Sequence, residues 1–185
     1  LGTVMTRDVA PGAAESYPNT IRAFGNKVIY SGEDPTAGYE VFISDGTEQG
    51  TGLLKDIYAG PDSSSADNFT VLGNMVLFSA YGAATGNELW KTDGTPGGTV
   101  LAADINNTPS GSNLGALRAI DGMAYFYADD GTFGNELWTS DGTPEGTVMI
   151  RDISPGANGS SPFSFTAFDG AVFFNASNGV NGSEL

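Results

Sequence analysis

The chain has 185 residues, including 27 glycines and 9 prolines, and it contains no cysteine and no histidine. Its 22 Asp and Glu residues against 7 Lys and Arg residues give a formal net charge of −15. This charge argues against binding to nucleic acid or to an anionic membrane, because phosphate recognition needs clustered cations. The composition also excludes disulfides, zinc-thiolate sites and histidine-dependent catalysis.

The first predicted element is a short strand over residues 3–9, and its features return at a fixed interval. Asp8, Asp56, Asp104 and Asp152 are each 48 residues apart. The segment 40–51 returns with the same spacing at 88–99 and 136–147, and the chain ends as a fourth copy begins at Glu184. A fixed period of this length predicts a repeat architecture. We therefore divide one domain, 1–185, into repeats at about 2–49, 50–97, 98–145 and a truncated 146–185.

The second repeat shows the predicted strands most clearly. A strand over 51–57 is followed by a loop rich in Gly, Pro, Ser and Asp, and then by apolar runs at 69–72 and 75–80. Only Gly73 and Asn74 separate these two runs, which predicts a hairpin with a tight turn. A third strand over 88–92 leads through an Asp-Gly-Thr turn into a fourth strand that starts at Thr99. Each repeat is thus predicted to form four strands and no helix.

The second strand of each repeat is apolar on both faces. Val76 and Phe78 alternate with Met75 and Leu77, whereas a sheet with one solvated face would alternate apolar and polar residues. Sheets covered on both faces and repeated at this interval predict an all-β fold, a β-propeller of four-stranded blades. A linear stack of such sheets fits the same pattern and is the alternative.

Two features of the repeat have both a structural and a functional interpretation. Trp90 and Trp138, with Phe42 at the equivalent position, could form a sugar platform, but we expect them to pack between blades. The Asp-Gly-Thr turn resembles a catalytic or metal-binding loop, but we expect its Asp to accept hydrogen bonds from backbone N–H groups two residues on, with the Gly at positive φ.

These motifs resemble the repeat family named for the pattern Glu-Leu-Trp-x-x-Asp-Gly-Thr. The resemblance covers essentially the whole chain, although the first copy has Val41 and Phe42 in place of Leu and Trp. It implies a secreted or surface-attached bacterial protein and a propeller fold. It transfers no catalytic residues.

The repeat count leaves two forms of the ring open. The predicted terminal strand 3–9 could complete the last blade beside 183–185, closing four blades in one chain. Alternatively, the chain is an arc of a larger ring that further repeats or a second chain completes. Since Leu1 lies inside a repeat, we expect a piece of a longer polypeptide or a processed form.

The sequence also predicts a candidate metal site in each repeat. Pairing through the Asp-Gly-Thr turn should bring one Glu and one Asp together at the same rim, and Ca²⁺ prefers such oxygen ligands. In the alternative interpretation, the Asp caps a turn and the Glu pairs with a cation or a backbone N–H. The predicted ligands are the pairs Glu40 and Asp56, Glu88 and Asp104, and Glu136 and Asp152.

The predicted function follows from these features. Near-identical carboxylate pairs around a ring are typical of a scaffold, so we expect no catalysis. We predict an extracellular binding or structural module for adhesion, matrix or assembly, with copies of itself, further repeats, or a glycan or cell-surface ligand as partners. No run of about 18 apolar residues is present, so no membrane-spanning helix is expected. The alternative is a carbohydrate-active propeller or an accessory sugar-binding domain, for which carboxylate pairs could serve glycoside hydrolysis.

Overall fold

The computed structural model describes residues 2–12 and 14–185, and this part of the chain contains strands and no helix. The first sheet consists of β1 (Asn19–Phe24), β2 (Lys27–Asp34), β3 (Gly38–Ser44) and β4 (Gly52–Lys55). The second consists of β5 (Asp67–Leu72), β6 (Met75–Gly82), β7 (Gly86–Thr92) and β8 (Val100–Ala103). The third consists of β9 (Gly115–Ile120), β10 (Met123–Asp129), β11 (Asn135–Ser140) and β12 (Val148–Arg151). The fourth consists of β13 (Phe163–Phe168), β14 (Ala171–Ser177) and β15 (Ser183–Glu184).

The strands of each sheet are antiparallel and follow one another in chain order. The predicted two-residue hairpins between the first and second strands are confirmed. Gly73 has a φ of 60° at the first turn position, and Asp121 and Gly122 have φ values of 49° and 82°. Positive φ at these positions gives primed turns, whose twist matches that of the flanking strands.

The four sheets are arranged around a common axis. The innermost strands of successive sheets contact one another, β1 with β5, β5 with β9 and β9 with β13. Residues of all four innermost strands also line one cleft. A linear stack would not bring the first and fourth innermost strands to the same cleft, so the sheets are blades of a propeller-like arc. The predicted fold class is confirmed.

Apolar side chains fill the spaces between neighbouring blades. Ile29 and Val41 of the first blade pack with Phe69 and Phe78 of the second. Leu77 of the second blade belongs to an equivalent core with Phe126 and other residues of the third. Leu77, Phe78 and Phe126 are fully buried, as the pattern with two apolar faces predicted, and Phe174 of the last blade is half-buried.

The prediction of a strand over residues 3–9 is wrong. These residues form no strand and join none of the sheets, so the fourth sheet has three strands. Instead, the Arg7 Nη1 donates to the Thr51 carbonyl at 2.6 Å, and Val4 and Met5 line an open cleft together with Tyr30 of the first blade. The segment is thus attached to the first blade through Arg7, while Val4 and Met5 remain 82% and 77% exposed. The described residues contain no helix that could cross a membrane.

Candidate functional site

The glutamate at the start of each third strand is a buried hydrogen-bond acceptor. Glu40 is fully buried. Its Oε1 accepts from Tyr58 N at 3.2 Å and Ser64 N at 2.8 Å. Its Oε2 accepts from Ile57 N at 3.0 Å and Ser64 Oγ at 2.6 Å. The carboxylate thus ties β3 to the loop that enters the second blade.

The next two repeats use their glutamates in the same way. Glu88 accepts from Ile105 N at 2.9 Å and from Asn106 N at 3.0 Å. Glu136 accepts from the backbone N–H groups of Ile153 and Ser154, each at 3.1 Å, and from the Ser160 hydroxyl. Because the donors lie in the loop leading to the next blade, the glutamate fixes the junction between repeats.

Burial affects the pKa of Glu40 and of Glu88. It raises the pKa of Glu40 and of Glu88, because a buried site disfavours the charged form, while the hydrogen-bond donors act in the opposite direction. The charge of Asp104 adds to the rise in the pKa of Glu88. The register, with Leu89 opposite Ala103, accounts for the proximity of Glu88 and Asp104.

The aspartates of the predicted calcium pairs differ among repeats. Asp56 Oδ2 accepts from Gly60 N at 3.2 Å, whereas Asp56 Oδ1 and Asp152 Oδ1 are buried without a hydrogen-bond partner among the described residues. Asp104 is exposed. Within the described ranges, no three acidic side chains come together at a distance that would hold a metal ion. Calcium binding stays a prediction.

The Asp-Gly-Thr turns have the predicted local geometry. In the third repeat, Asp141 Oδ1 accepts from Thr143 N at 2.8 Å and from Thr143 Oγ1 at 2.7 Å, and Gly142 has a φ of 88°. The Thr143 hydroxyl is the main cause of the lowered pKa of Asp141. A buried hydrogen bond of 2.7 Å between the Ser140 and Thr147 hydroxyls joins the two ends of the turn.

The two tryptophans pack between blades, as predicted. Trp90 lies against the core between the first and second blades, and Trp138 lies against the core between the second and third. The Nε1 atom of each is buried and has no hydrogen-bond partner among the described residues. Phe42, their counterpart, is also buried and stacks on Tyr30 with ring centroids 5.5 Å apart.

The cleft at the axis was not predicted from the sequence. It has a volume of about 440 Å³, and Arg22 of β1, Thr70 of β5, Arg118 of β9 and Ser164 of β13 are among its lining residues. The signal in the sequence was the alternation of Arg22, Thr70, Arg118 and Thr166 at the 48-residue interval. In this register, every second repeat has an arginine, and both arginines line the cleft at the axis.

Each innermost strand is bulged where it borders this cleft. In β5, Asn68 and Phe69 lie opposite the single residue Phe78, because the register shifts between Asp67 and Thr70. The first residue of every bulge has a left-handed backbone, an unusual conformation for residues other than glycine. These residues, with φ between 50° and 60°, are Thr20, Asn68, Ala116 and Ser164.

The outward face of the fourth blade exposes large apolar side chains. Phe168, Phe173 and Leu185 are 69%, 40% and 84% exposed. The rings of Phe168 and Phe173 pack edge to face, with centroids 6.0 Å apart. The residues at the same register in the second blade are Leu72, Leu77 and Leu89, which are all buried against the third blade.

Comparison with known proteins gives a distant structural similarity and no match in sequence. No protein-family model matches the chain, and no curated protein matches it. A solved structure described as Bacteroides ovatus xyloglucan PUL GH43B is similar to it, with a TM-score of 0.45 and 15% sequence identity. The similarity covers 92% of this chain and 40% of that chain. On its own sheet topology, this chain is a propeller-like repeat protein.

Proposed function

We propose that the chain is an extracellular structural and binding module, without catalysis of its own, that associates with further blades of the same kind. The observation that carries this proposal is the exposed apolar face of the fourth blade. The same face of the first and second blades is buried against the following blade.

The partner is defined by the surface that covers the equivalent face inside the chain. Leu77 of the second blade packs with Phe126 and Leu117 of the third. Ile29 of the first blade packs in the same way with Phe69 and Phe78 of the second. A blade that presents an aromatic residue on its second strand and a large apolar residue in the bulge of its first strand is therefore complementary to Phe168 and Phe173. Such a blade can come from a second copy or from another repeat of the same polypeptide.

Burial of this face would supply a substantial driving force. Transferring a phenylalanine side chain from water to a protein interior contributes about 2 kcal/mol. Two phenylalanines and a leucine together form an exposed apolar patch of the kind that marks interaction sites. A contact between this face and a different face of a second copy is heterologous. Association through it would therefore lead to rings or open chains of blades.

Sedimentation of the purified chain over a concentration series tests the association. We expect the average mass to rise with concentration for the unchanged chain, because the exposed face of one copy can bind another. The variants Phe168→Ser and Phe173→Ser should weaken this rise by removing the apolar contact.

The matched control is Val180→Ser, because Val180 is 85% exposed but lies in the loop between β14 and β15, outside the strands that form the outward face. This variant should associate like the unchanged chain. A chain that stays monomeric at every concentration, or an equal effect of all three variants, would contradict the proposal.

A calcium site is a separate part of this proposal. Its support consists of Asp56 Oδ1 and Asp152 Oδ1, which lack hydrogen-bond partners among the described residues. The neighbouring Glu40 is surrounded by N–H and O–H donors, which disfavour a cation there. Titration calorimetry with Ca²⁺ on EDTA-treated protein should show heat that Asp152→Asn removes. No heat and an unchanged melting temperature would contradict calcium binding.

A further inference from the structure

The cleft at the axis has a charge opposite to that of the molecule. The chain carries a net charge of −15, yet the residues lining this cleft include Arg22 and Arg118 and no Asp or Glu. Two of the seven cations of the chain thus line one cavity of about 440 Å³. The carboxylate nearest along the strands, Asp67, is instead hydrogen-bonded to Thr20 Oγ1 at 2.9 Å.

Packing between blades does not account for the choice of arginine. Arg22 Nε donates to the Phe69 carbonyl at 3.0 Å, which links β1 to β5. At the next repeat, Thr70 Oγ1 makes the equivalent bond to the Leu117 carbonyl at 3.0 Å, linking β5 to β9. A neutral hydroxyl therefore serves as the link, and the positive charge is available for another role.

The two guanidinium groups retain donors for a ligand. Arginine has five N–H donors in a planar fork, and Arg22 directs one to Phe69 and one to the Ile21 carbonyl. Both Arg22 and Arg118 are exposed to solvent at the cleft. Guanidinium forks bind carboxylate, sulfate and phosphate groups by paired, charge-assisted hydrogen bonds.

The bulges of the innermost strands add polar groups to the same place. Asn68 and Ser164 line the cleft with a left-handed backbone, and the bulge interrupts pairing with the second strand there. Left-handed residues other than glycine concentrate at ligand sites, where surrounding structure holds them in place. Such a residue recurs in every blade, and three of the four, Asn68, Ala116 and Ser164, line the cleft that contains both arginines.

We propose that this axial cleft binds a small ligand through an oxyanion group, a carboxylate, sulfate or phosphate, held by Arg22 and Arg118. The ligand approaches along the axis, while the strongly acidic remainder of the surface disfavours the same anion elsewhere. This binding is independent of the association through the fourth blade.

Titration calorimetry of the whole chain with sulfate, phosphate and citrate, each at the same ionic strength in chloride, tests the proposal. We expect heat from at least one anion. The variant Arg118→Gln should weaken that binding by about 10-fold or more, because it removes a charge-assisted pair of hydrogen bonds. Arg118→Lys should have a smaller effect, because it keeps the charge and loses the fork. The anion that binds most tightly identifies the chemical group.

The matched control is Arg151→Gln, which removes the same charge from β12, away from the axis. It should change the affinity by less than about 2-fold, a difference of under about 0.4 kcal/mol. Absence of heat with all three anions would overturn the proposal. Equal losses in Arg118→Gln and Arg151→Gln would also overturn it, because they would show a general charge effect. Arg118→Lys tests the same point if Arg118→Gln does not fold.

Discussion

At the scale of single residues, Asp141 stabilises its turn in the ionised form. Its carboxylate accepts from both the backbone and the hydroxyl of Thr143, which lowers the pKa of Asp141. A lowered pKa means that the stabilisation is present above the unfolded pKa, about 3.9, and is lost as the pH falls through the native value. The turn should therefore weaken in acid.

The variant Asp141→Asn tests this role. We expect a lower melting temperature than that of the unchanged chain at pH 7, and a difference that shrinks as the pH falls through the lowered native pKa of Asp141 and the carboxylate becomes protonated. Glu145→Gln removes the same charge from an exposed position of the same turn and is the control. A difference that is constant with pH would show that the charge of Asp141 has no such role.

Glu88 has the opposite dependence on pH. Burial raises its pKa, so its contribution to stability is full below the unfolded value of about 4.3 and is lost as the pH rises through the native value. The free energy of unfolding, measured with urea from pH 4.5 to 7, should fall less steeply for Glu88→Gln than for the unchanged chain. Parallel slopes for the two proteins would contradict the raised pKa.

At the scale of elements, the loop before each third strand is joined to the next blade by closely approaching glycines. Asn87 forms a parallel bridge with Gly111, and a methyl group on Gly86 would lie 2.5 Å from both Gly111 N and the Pro109 carbonyl oxygen. Gly86 also has a φ of 71°. Only glycine meets both requirements without strain.

The variant Gly86→Ala should therefore lower the free energy of unfolding by about 2 kcal/mol or more, since it adds a backbone clash to a left-handed conformation. Gly97→Ala is the control, because a methyl group there meets open space. Its effect should be below about 0.5 kcal/mol in urea unfolding. Equal free energies of unfolding for the two variants would contradict the close approach of Gly86 to Gly111 and Pro109.

The elements also show what could be predicted from the sequence. The hairpins at Gly73 and Asp121 and the Asp-Gly-Thr turns were predictable because their hydrogen bonds and φ values depend on a few neighbouring residues. The bulge at Asn68 was not, because two-to-one pairing depends on the partner strand. The role of Glu40 was left open for the same reason, since its donors lie 17 to 24 residues further along the chain.

At the scale of the whole molecule, a fixed period and strands with two apolar faces were sufficient to predict blades. They could not predict that residues 3–9 stay outside the sheets, because the pairing partner expected for this segment, 183–185, lies at the other end of the chain. The period and the strand pattern also did not predict the axial cleft. Arg22 and Arg118 are 96 residues apart in the sequence, and they line the same cleft only because the inner strands of the four blades surround one axis.

The central claim is that successive sheets pack face to face as equivalent blades. In the structure, Gly142 of the third blade lies against Met75 and Leu77 of the second, and Gly94 of the second lies against Phe24 of the first. Nuclear Overhauser effects in solution report such contacts directly. We predict cross-peaks between the Met75 methyl group and the Gly142 α-protons, and between the Phe24 ring and the Gly94 α-protons. Absence of both from the spectrum of the folded chain would contradict the stacking of blades.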